Sequence, residues 1–429
     1  MPPAVDDQVI LVPSSSELVT DETMVTKRSD FVKKRCMKVN VKRRSQIFSI
    51  LNRDFVVLYN INDKGVLSHC RGMNNLPIFT KLAHSGLRVY RKGLLEIEEW
   101  LIPRIVRLFQ AASAVSFVLM FSFLGFICIY SVIILLYSRY WYAILVYLWW
   151  AMTDTGVWYG SERRFEWVRN WHWWSLFRDY YPISLVKTAD LDPSRNYLLA
   201  CHPHGILPAG CFCAFATNAL KFNEHYPGLK CNMATLIINF SVPFLRDLFL
   251  AMGLCPVSIQ SLTGLLNPKK NKGRCVAILI GGAAETLETH PGTHKIILSK
   301  RKGFVRIAIM TGSPLVPVYS FGEVDTMPQL HNPPGSALRR FQEWFRELTG
   351  VSPVLTLGNG MKKNLGIVPL RVPIHVVVGA PIEVKQNPEP TPEEVDALHA
   401  RYQHELVKLF DAHKHKYAAN PENARLVVI

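Results

Sequence analysis

The chain has 429 residues, a formal net charge of +16 and 49% hydrophobic residues. That length is enough for one large domain or two smaller ones, with ample residues for a buried core. The excess of basic residues calls for an anionic partner: nucleic acid, a membrane surface or a phosphorylated cofactor.

Nine cysteines are scattered without a CxxC pair, which argues against a disulfide scaffold and for a reducing compartment. The first twenty residues are polar and acidic and do not read as a signal peptide. Residues 1–26 lack any hydrophobic period and read as disordered. A basic cluster follows (Lys27, Arg28, Lys33, Lys34, Arg35, Lys38, Lys42, Arg43, Arg44), read as attraction to an anionic leaflet, with a solvated tail as the plain alternative. Short strand-like pieces occupy residues 47–90. Residues 91–107 form an amphipathic basic segment.

Residues 108–152 decide the class. Their only formal charge is Arg139. A spanning helix needs roughly 20 apolar residues, so the stretch has room for two. Arg104 and Arg107 precede it, and Arg163, Arg164 and Arg169 follow. By the positive-inside bias both flanks are cytosolic, which requires an even number of crossings. The reading is a helical hairpin over residues 108–158, transmembrane or re-entrant, with its tip at Ser138-Arg139, since a charge at mid-membrane is expensive. Its aromatics Tyr140, Trp141, Tyr142, Trp149 and Trp150 suit an interface. A buried helical pair in a soluble protein is the alternative.

From residue 181 short apolar runs alternate with helical stretches, which is α/β order. Strands are expected at 197–201, 276–280, 315–320 and 374–379, and helices at 210–221, 243–252 and 304–310. Thr391-Pro392-Glu393-Glu394 is a helix start with a capping Thr, Pro at the first position and Glu three after the cap. Val395, Leu398, Tyr402, Leu406, Leu409 and Phe410 then share one face.

The chemistry concentrates at three places. The first is His202-Pro203-His204-Gly205, directly after the 197–201 strand. A turn at the carboxyl end of a strand is where open α/β sheets put their chemistry. Pro203 stiffens it and Gly205 lets another group approach. Imidazole takes a proton near neutral pH, so His204 first and His202 second are candidate bases; a structural turn is the bland alternative. The second is Gly281-Gly282-Ala283-Ala284-Glu285, after the 276–280 strand. Its glycines expose N–H groups that attract anions, and Glu285 would orient a histidine or bind a hydroxyl; alone, it reads equally as a glycine turn with a solvated glutamate. The third is basic: Lys300, Arg301 and Lys302, with Lys269, Lys270, Lys272 and Arg274 upstream, would grip phosphates. The strand after it carries Pro317, read as an inner strand edge or a bend.

Two other readings compete. His202 and His204 with His290 and His294 have a spacing seen in metal sites, but no further acidic run completes a set, so no metal is expected. Cys201 as a nucleophile is disfavoured, because it faces away from His202 and is expected to be buried. Asn239-Phe240-Ser241 matches a glycosylation sequon that a cytosolic domain leaves unmodified.

In this order the motifs resemble the type 2 diacylglycerol O-acyltransferase family, which includes monoacylglycerol acyltransferases and some wax synthases. The resemblance is carried by Arg178-Asp-Tyr-Tyr-Pro-Ile183, Leu185-Val-Lys-Thr188, Asp190-Leu-Asp-Pro193, His202-Pro-His-Gly205, Tyr226-Pro-Gly228, Pro243-Phe-Leu-Arg246, Gly281-Gly-Ala-Ala-Glu285, Arg301-Lys-Gly-Phe304 and Val316-Pro-Val-Tyr-Ser-Phe-Gly-Glu323. The sequence departs from the family pattern at Tyr181, Ala214 and Asn359. The order of a His block, a Gly/Glu block and a Val-Pro-Val strand is also similar to that of glycerophospholipid acyltransferases.

The resemblance implies an α/β, membrane-anchored, glycerolipid-acyltransferase-like domain at residues 159–429. It has a central mixed sheet flanked by helices and follows the hairpin. It implies transfer of an acyl group from acyl-CoA, as co-substrate rather than cofactor, to diacylglycerol or a related neutral-lipid hydroxyl. The expected place is the cytosolic face of the endoplasmic reticulum membrane, with lipid droplets as a further location. Catalytic roles fall to His204, His202 and Glu285. Substrate binding falls to Pro203, Gly205, Gly281, Gly282, Arg301 and Lys302. The partners are then acyl-CoA, the neutral lipid and the bilayer, not nucleic acid; homo-oligomerisation stays open. Alternatives are a monoacylglycerol acyltransferase, a wax-ester synthase, or a non-catalytic lipid-binding or lipid-droplet protein.

Overall fold

The computed structural model describes residues 47–52, 55–61, 67–68, 100–159, 163–358 and 368–429. The acidic segment 1–26, the basic cluster at 27–44 and Asn359 lie outside the described residues. The chain divides into two units, residues 1–95 and 96–429. Of the first, the structure gives a small antiparallel sheet of Ile47–Asn52, Phe55–Ile61 and Leu67–Ser68, in that order.

The second unit is built on a seven-stranded mixed sheet. Its strands are β1 (Ile183–Lys187), β2 (Tyr197–His202), β3 (Lys230–Thr235), β4 (Leu254–Pro256), β5 (Arg274–Leu279), β6 (Leu315–Phe321) and β7 (Ile374–Val378), in the spatial order β1-β7-β6-β2-β5-β3-β4. All neighbours are parallel except β6 and β7. The carboxyl ends of β2, β3, β5 and β6 therefore share one edge. Sequence reasoning found β2, β5, β6 and β7. Pro317 lies inside β6, not at its edge. Its missing N–H is tolerated because the β7 ladder begins one residue later, at Val318↔Val378, and the next pairing is the Leu315↔Ile382 bridge.

Side chains alternate across this sheet. Leu199 and Cys201 of β2 join a cluster that includes Phe177, Phe212 and Phe249, whereas Leu198 and Ala200 join another with Val305, Tyr402 and Phe410. Cys201 is buried in the first cluster, as its strand position predicts.

The helices that cover the two faces or extend from them include α1 (Ile102–Ser122), α2 (Leu124–Leu136), α3 (Trp141–Thr153), α4 (His172–Tyr180), α5 (Leu245–Ala251), α6 (Gly303–Thr311), α7 (Ala337–Thr349) and α8 (Pro392–Tyr417). The predicted cap of α8 forms in full. Thr391 accepts from the Glu394 N–H at 3.3 Å and Glu394 accepts from the Thr391 N–H at 3.0 Å. The expected helix at 210–221 is shorter, a single buried turn at Ala209–Cys211 continued as a π-turn at Phe212–Ala216.

The apolar stretch is three helices rather than two long arms. Among the described residues α1 alone is long and apolar enough to cross a membrane. Its stripe Gln110, Ser113, Ala114, Phe117 and Val118, at helical spacing, is buried. Phe117 packs 4.8 Å from Phe177 of α4, and Trp173 donates to Ser116. The amino-terminal end of α1 exposes Ile105, Val106, Leu108 and Phe109. After a break at Phe123, α2 and α3 form a hairpin that turns at Tyr137-Ser138-Arg139-Tyr140, the expected tip. Each arm has 13 residues.

Helix α7 is amphipathic the wrong way round. Buried Arg339 pairs with Glu288 and Glu343, and buried Gln342 bonds Asn332. Phe341, Trp344 and Leu348 face outward.

Candidate active site

β2 ends in His202, and the chain turns through Pro203 and His204 to Gly205, which has φ +63°. The His202–Pro203 peptide bond is cis. His202 is completely buried, and Tyr402 of α8 sits over it. The Tyr402 hydroxyl donates to the Ala200 carbonyl at 3.0 Å and so accepts from His202 Nε2 at 3.1 Å. That fixes the proton on Nε2 and leaves Nδ1 as a buried lone pair with no partner among the described residues. Burial pushes the His202 pKa down to about 3.

His204 is different. Its ring is part-buried and Nδ1 lies 3.1 Å from the Gly205 carbonyl, which only accepts. Nδ1 therefore carries the proton, and Nε2 presents a lone pair. Burial lowers the pKa and the carbonyl bond partly restores it, so the ring is neutral at pH 7.

Two buried carboxylates hold this turn from the neighbouring strands. Glu285, beyond β5, accepts the His204 N–H at 2.5 Å and the Ile297 N–H at 2.7 Å. It is 1% exposed, not solvated, and it holds the backbone of His204 rather than its ring. The turn before it needs glycine: a Cβ on Gly281 would stand 2.1 Å from the Glu285 carboxylate. Gly282 opens the next helical turn, Gly282–Thr286.

The second carboxylate is Glu323, beyond β6. Its oxygens accept the Gly210 N–H at 3.2 and 3.0 Å and the Ser320 hydroxyl at 2.7 Å. A Cβ on Gly210 would meet that carboxylate at 2.7 Å, so only glycine allows the approach. Burial raises both carboxyl groups to about 7, against the pull of these N–H bonds. Glu285 and Glu323 thus tie down the two ends of the His204–Gly210 loop. In the sequence Glu323 closes the Val316–Glu323 motif and carries no assigned role. The only signal was its place beyond the strand that pairs with β2.

A cleft of about 650 Å³ lies at the carboxyl end of β5. Ile278–Ile280 and Gly282–Ala284 line one side, Leu236 and Val257 another, and Lys300, Arg301, Lys302, Phe304, Arg346 and Gly350 the rest. The cleft brings Gly282, Arg301 and Lys302 together, and its wall runs one residue short of Glu285. His294 Nδ1 bonds the hydroxyl of Tyr319, the residue opposite His202, at 2.9 Å, and the His290 ring lies 6.5 Å from that of His331. Among the described residues no group of three or more His, Cys, Asp or Glu is placed to hold a metal.

Residues 133–428 match the family model described as diacylglycerol acyltransferase. The chain belongs to that family. It is 41% identical over 324 residues to the 2-acylglycerol O-acyltransferase 1 of Bos taurus, covering 75% of this chain and 96% of that one. It is 41% identical to the diacylglycerol O-acyltransferase 2 of Xenopus tropicalis (73% and 87% covered) and 39% identical to that of Homo sapiens (76% and 84%). Superposition on the 1-acyl-sn-glycerophosphate acyltransferase of Thermotoga maritima gives a TM-score of 0.31 at 11% identity, over 71% of this chain and 97% of that one. The family match spans the histidine turn, both carboxylates, the cleft, α3 and the end of α2. It leaves out α1.

Proposed function

We infer that this family member is an acyl-CoA-dependent O-acyltransferase that esterifies diacylglycerol to triacylglycerol at the cytosolic face of the endoplasmic reticulum membrane. The observation that carries the reading is His204, held by its backbone in a rigid turn with Nε2 free. Nε2 takes the proton of the acceptor hydroxyl as that oxygen attacks the thioester carbonyl. The tetrahedral intermediate then expels the CoA thiolate, a good leaving group, which collects the proton from the imidazolium. N–H groups near Gly205, or of the Gly281-Gly282 turn, stabilise the oxyanion. His202, buried and far below neutral in pKa, is the weaker candidate base and supports the strand end.

The membrane reading rests on the α2–α3 hairpin. Tyr147 of α3 donates to Asp247 at 2.5 Å, accepts from the Phe244 N–H at 2.7 Å and stacks on the Phe244 ring. At the end of α3, Asp154 pairs with Arg246 and Arg163. On α2, Cys128 is buried, and Gly125 lies against Leu245. Beyond these anchors about eight residues of α2 remain, roughly 12 Å of helix, against a hydrocarbon core of about 30 Å. The hairpin is therefore read as entering one leaflet, with Arg139 bonded to the Tyr140 hydroxyl and reaching back to the interface. In the Arg139→Cys variant the new thiol should resist a bilayer-impermeant maleimide from both sides of sealed microsomes and react once detergent is added. Labelling from the lumen would mean a full crossing.

The likeness to 2-acylglycerol O-acyltransferase 1, over 96% of that protein, favours a second reading with monoacylglycerol as acceptor. Microsomes containing the protein, given labelled oleoyl-CoA with monoacylglycerol, diacylglycerol or a fatty alcohol, should yield triacylglycerol as the main product. Monoacylglycerol preference would move the acceptor, and no ester from any acceptor would reject the enzyme.

A further inference from the structure

We propose that the 650 Å³ cleft is the site for the phosphorylated nucleotide end of the donor, with Arg346 of α7 as a phosphate ligand beside Lys300 and Arg301. The proposal rests on the reading above that the donor is a CoA thioester.

The cleft has two chemistries. One part is apolar, with Leu236, Val257, Ile278, Leu279 and Ile280, and suits an uncharged arm. The other carries four cations and no carboxylate among its described lining residues. Lys302 is partly neutralised, because it pairs with Asp396 at 2.5 Å. Lys300, Arg301 and Arg346 form no ion pair within 4 Å among the described residues, and Arg301 is near enough to Glu285 to draw its pKa down slightly. Lys300 and Arg301 are exposed and Arg346 is half-buried, so the three cations face one concave volume open to an anion, and guanidinium groups match phosphate oxygens in a forked pair of hydrogen bonds. The amino end of the nine-residue α6 opens at the same place with no side-chain cap, which adds N–H donors and the positive end of the helix dipole. The volume falls in the range of small-molecule sites.

The geometry also gives the ligand a direction. Gly282, Ala283 and Ala284 line the cleft, and the next residue, Glu285, holds the His204 N–H. A donor with its phosphates at Arg301 and Arg346 and its arm along Ile278–Ile280 would run toward that histidine. Arg346 lies 45 positions after Arg301 in the chain, on a helix whose outward face is Phe341, Trp344 and Leu348.

The test compares two donors on the full chain in neutral-lipid nanodiscs: oleoyl-CoA, and oleoyl-pantetheine, which keeps the thioester and lacks the nucleotide. In the double variant Arg301→Ala, Arg346→Ala, the ratio of kcat/KM for oleoyl-CoA over oleoyl-pantetheine should fall about 10- to 100-fold, with the change in KM for oleoyl-CoA. An unchanged ratio, or an equal loss for both donors, overturns the site. Binding of a non-reactive CoA thioether, followed by calorimetry, reads the same contact without turnover. It keeps this site testable even if the assigned reaction fails. The cations would instead serve lipid headgroups if the variant bound the thioether normally and lost activity only in nanodiscs containing phosphatidylserine; that result also overturns the proposal.

Discussion

His204→Ala should lower kcat by roughly 10²–10⁴ and leave the melting temperature nearly unchanged. The side chain is part-buried, and its one hydrogen bond, to the Gly205 carbonyl, is local. Glu285 grips the His204 backbone, which the substitution keeps. His202→Ala should do the opposite. It removes a fully buried ring, leaves a cavity against Tyr402, and deprives the Tyr402 hydroxyl of a donor. A loss of about 2–4 kcal/mol of stability is expected, with a much smaller effect on kcat in the protein that still folds. Thermal unfolding and initial rates of both variants, in one nanodisc preparation, decide the matter. If His202→Ala abolished turnover at full stability and His204→Ala did not, the base would have to be reassigned.

The elements legible in the sequence were those with an unambiguous local signal. β2 is a pure apolar run ending at His202, and α8 carries a capping box, so both were placed closely. β1, β3 and β4 were missed for separate reasons. β1 lies at the sheet edge with a half-exposed side, β3 reads Lys-Cys-Asn-Met-Ala-Thr without an apolar run, and β4 has three residues. Composition gave the apolar stretch its length and its tip at Arg139, but nothing in it marks the break at Phe123. Gln110 and Ser113, polar residues on one stripe of α1, were the readable sign that this helix packs on protein.

The candidate site was legible by residue type and not by arrangement. His204, Glu285, Gly281, Arg301 and Lys302 were chosen from local motifs. Glu285 looked equally like a solvated glutamate, because burial of a carboxylate is decided by its neighbours in space. Glu323 shows this more sharply. Gly322-Glu323-Val324-Asp325 reads as a polar turn, yet parallel pairing of β6 with β2, Tyr319 opposite His202, carries Glu323 under the histidine loop. Arg346 had no motif at all.

Glu323 yields the second large effect, and its sign depends on pH. The carboxyl is 1% exposed and its pKa is raised from 4.5 to about 7, chiefly by burial. A carboxyl whose folded pKa is raised contributes stability below its unfolded value and loses it as pH rises through the folded one. Between about pH 4.5 and 7 this group should therefore cost the folded protein on the order of 3 kcal/mol, and Glu285 should act in the same direction. Glu323→Gln removes the ionisation and keeps an oxygen for the Gly210 N–H. It should match the parent near pH 4.5 and unfold at a higher temperature at pH 8. Glu323→Ala strands the buried Gly210 N–H and the Ser320 hydroxyl and opens a cavity, so it should lose about 3 kcal/mol. Because Gly210 ends the loop that begins at His204, the alanine variant should also lower kcat, and the glutamine variant should restore it. Melting curves at pH 5 and pH 8, with kcat measured on the same samples, separate a loop-positioning role from a merely structural one. A glutamine variant as slow as the alanine variant would show that the charge itself is needed, and the account of Glu323 as a clamp that holds the loop by hydrogen bonds alone would then be wrong.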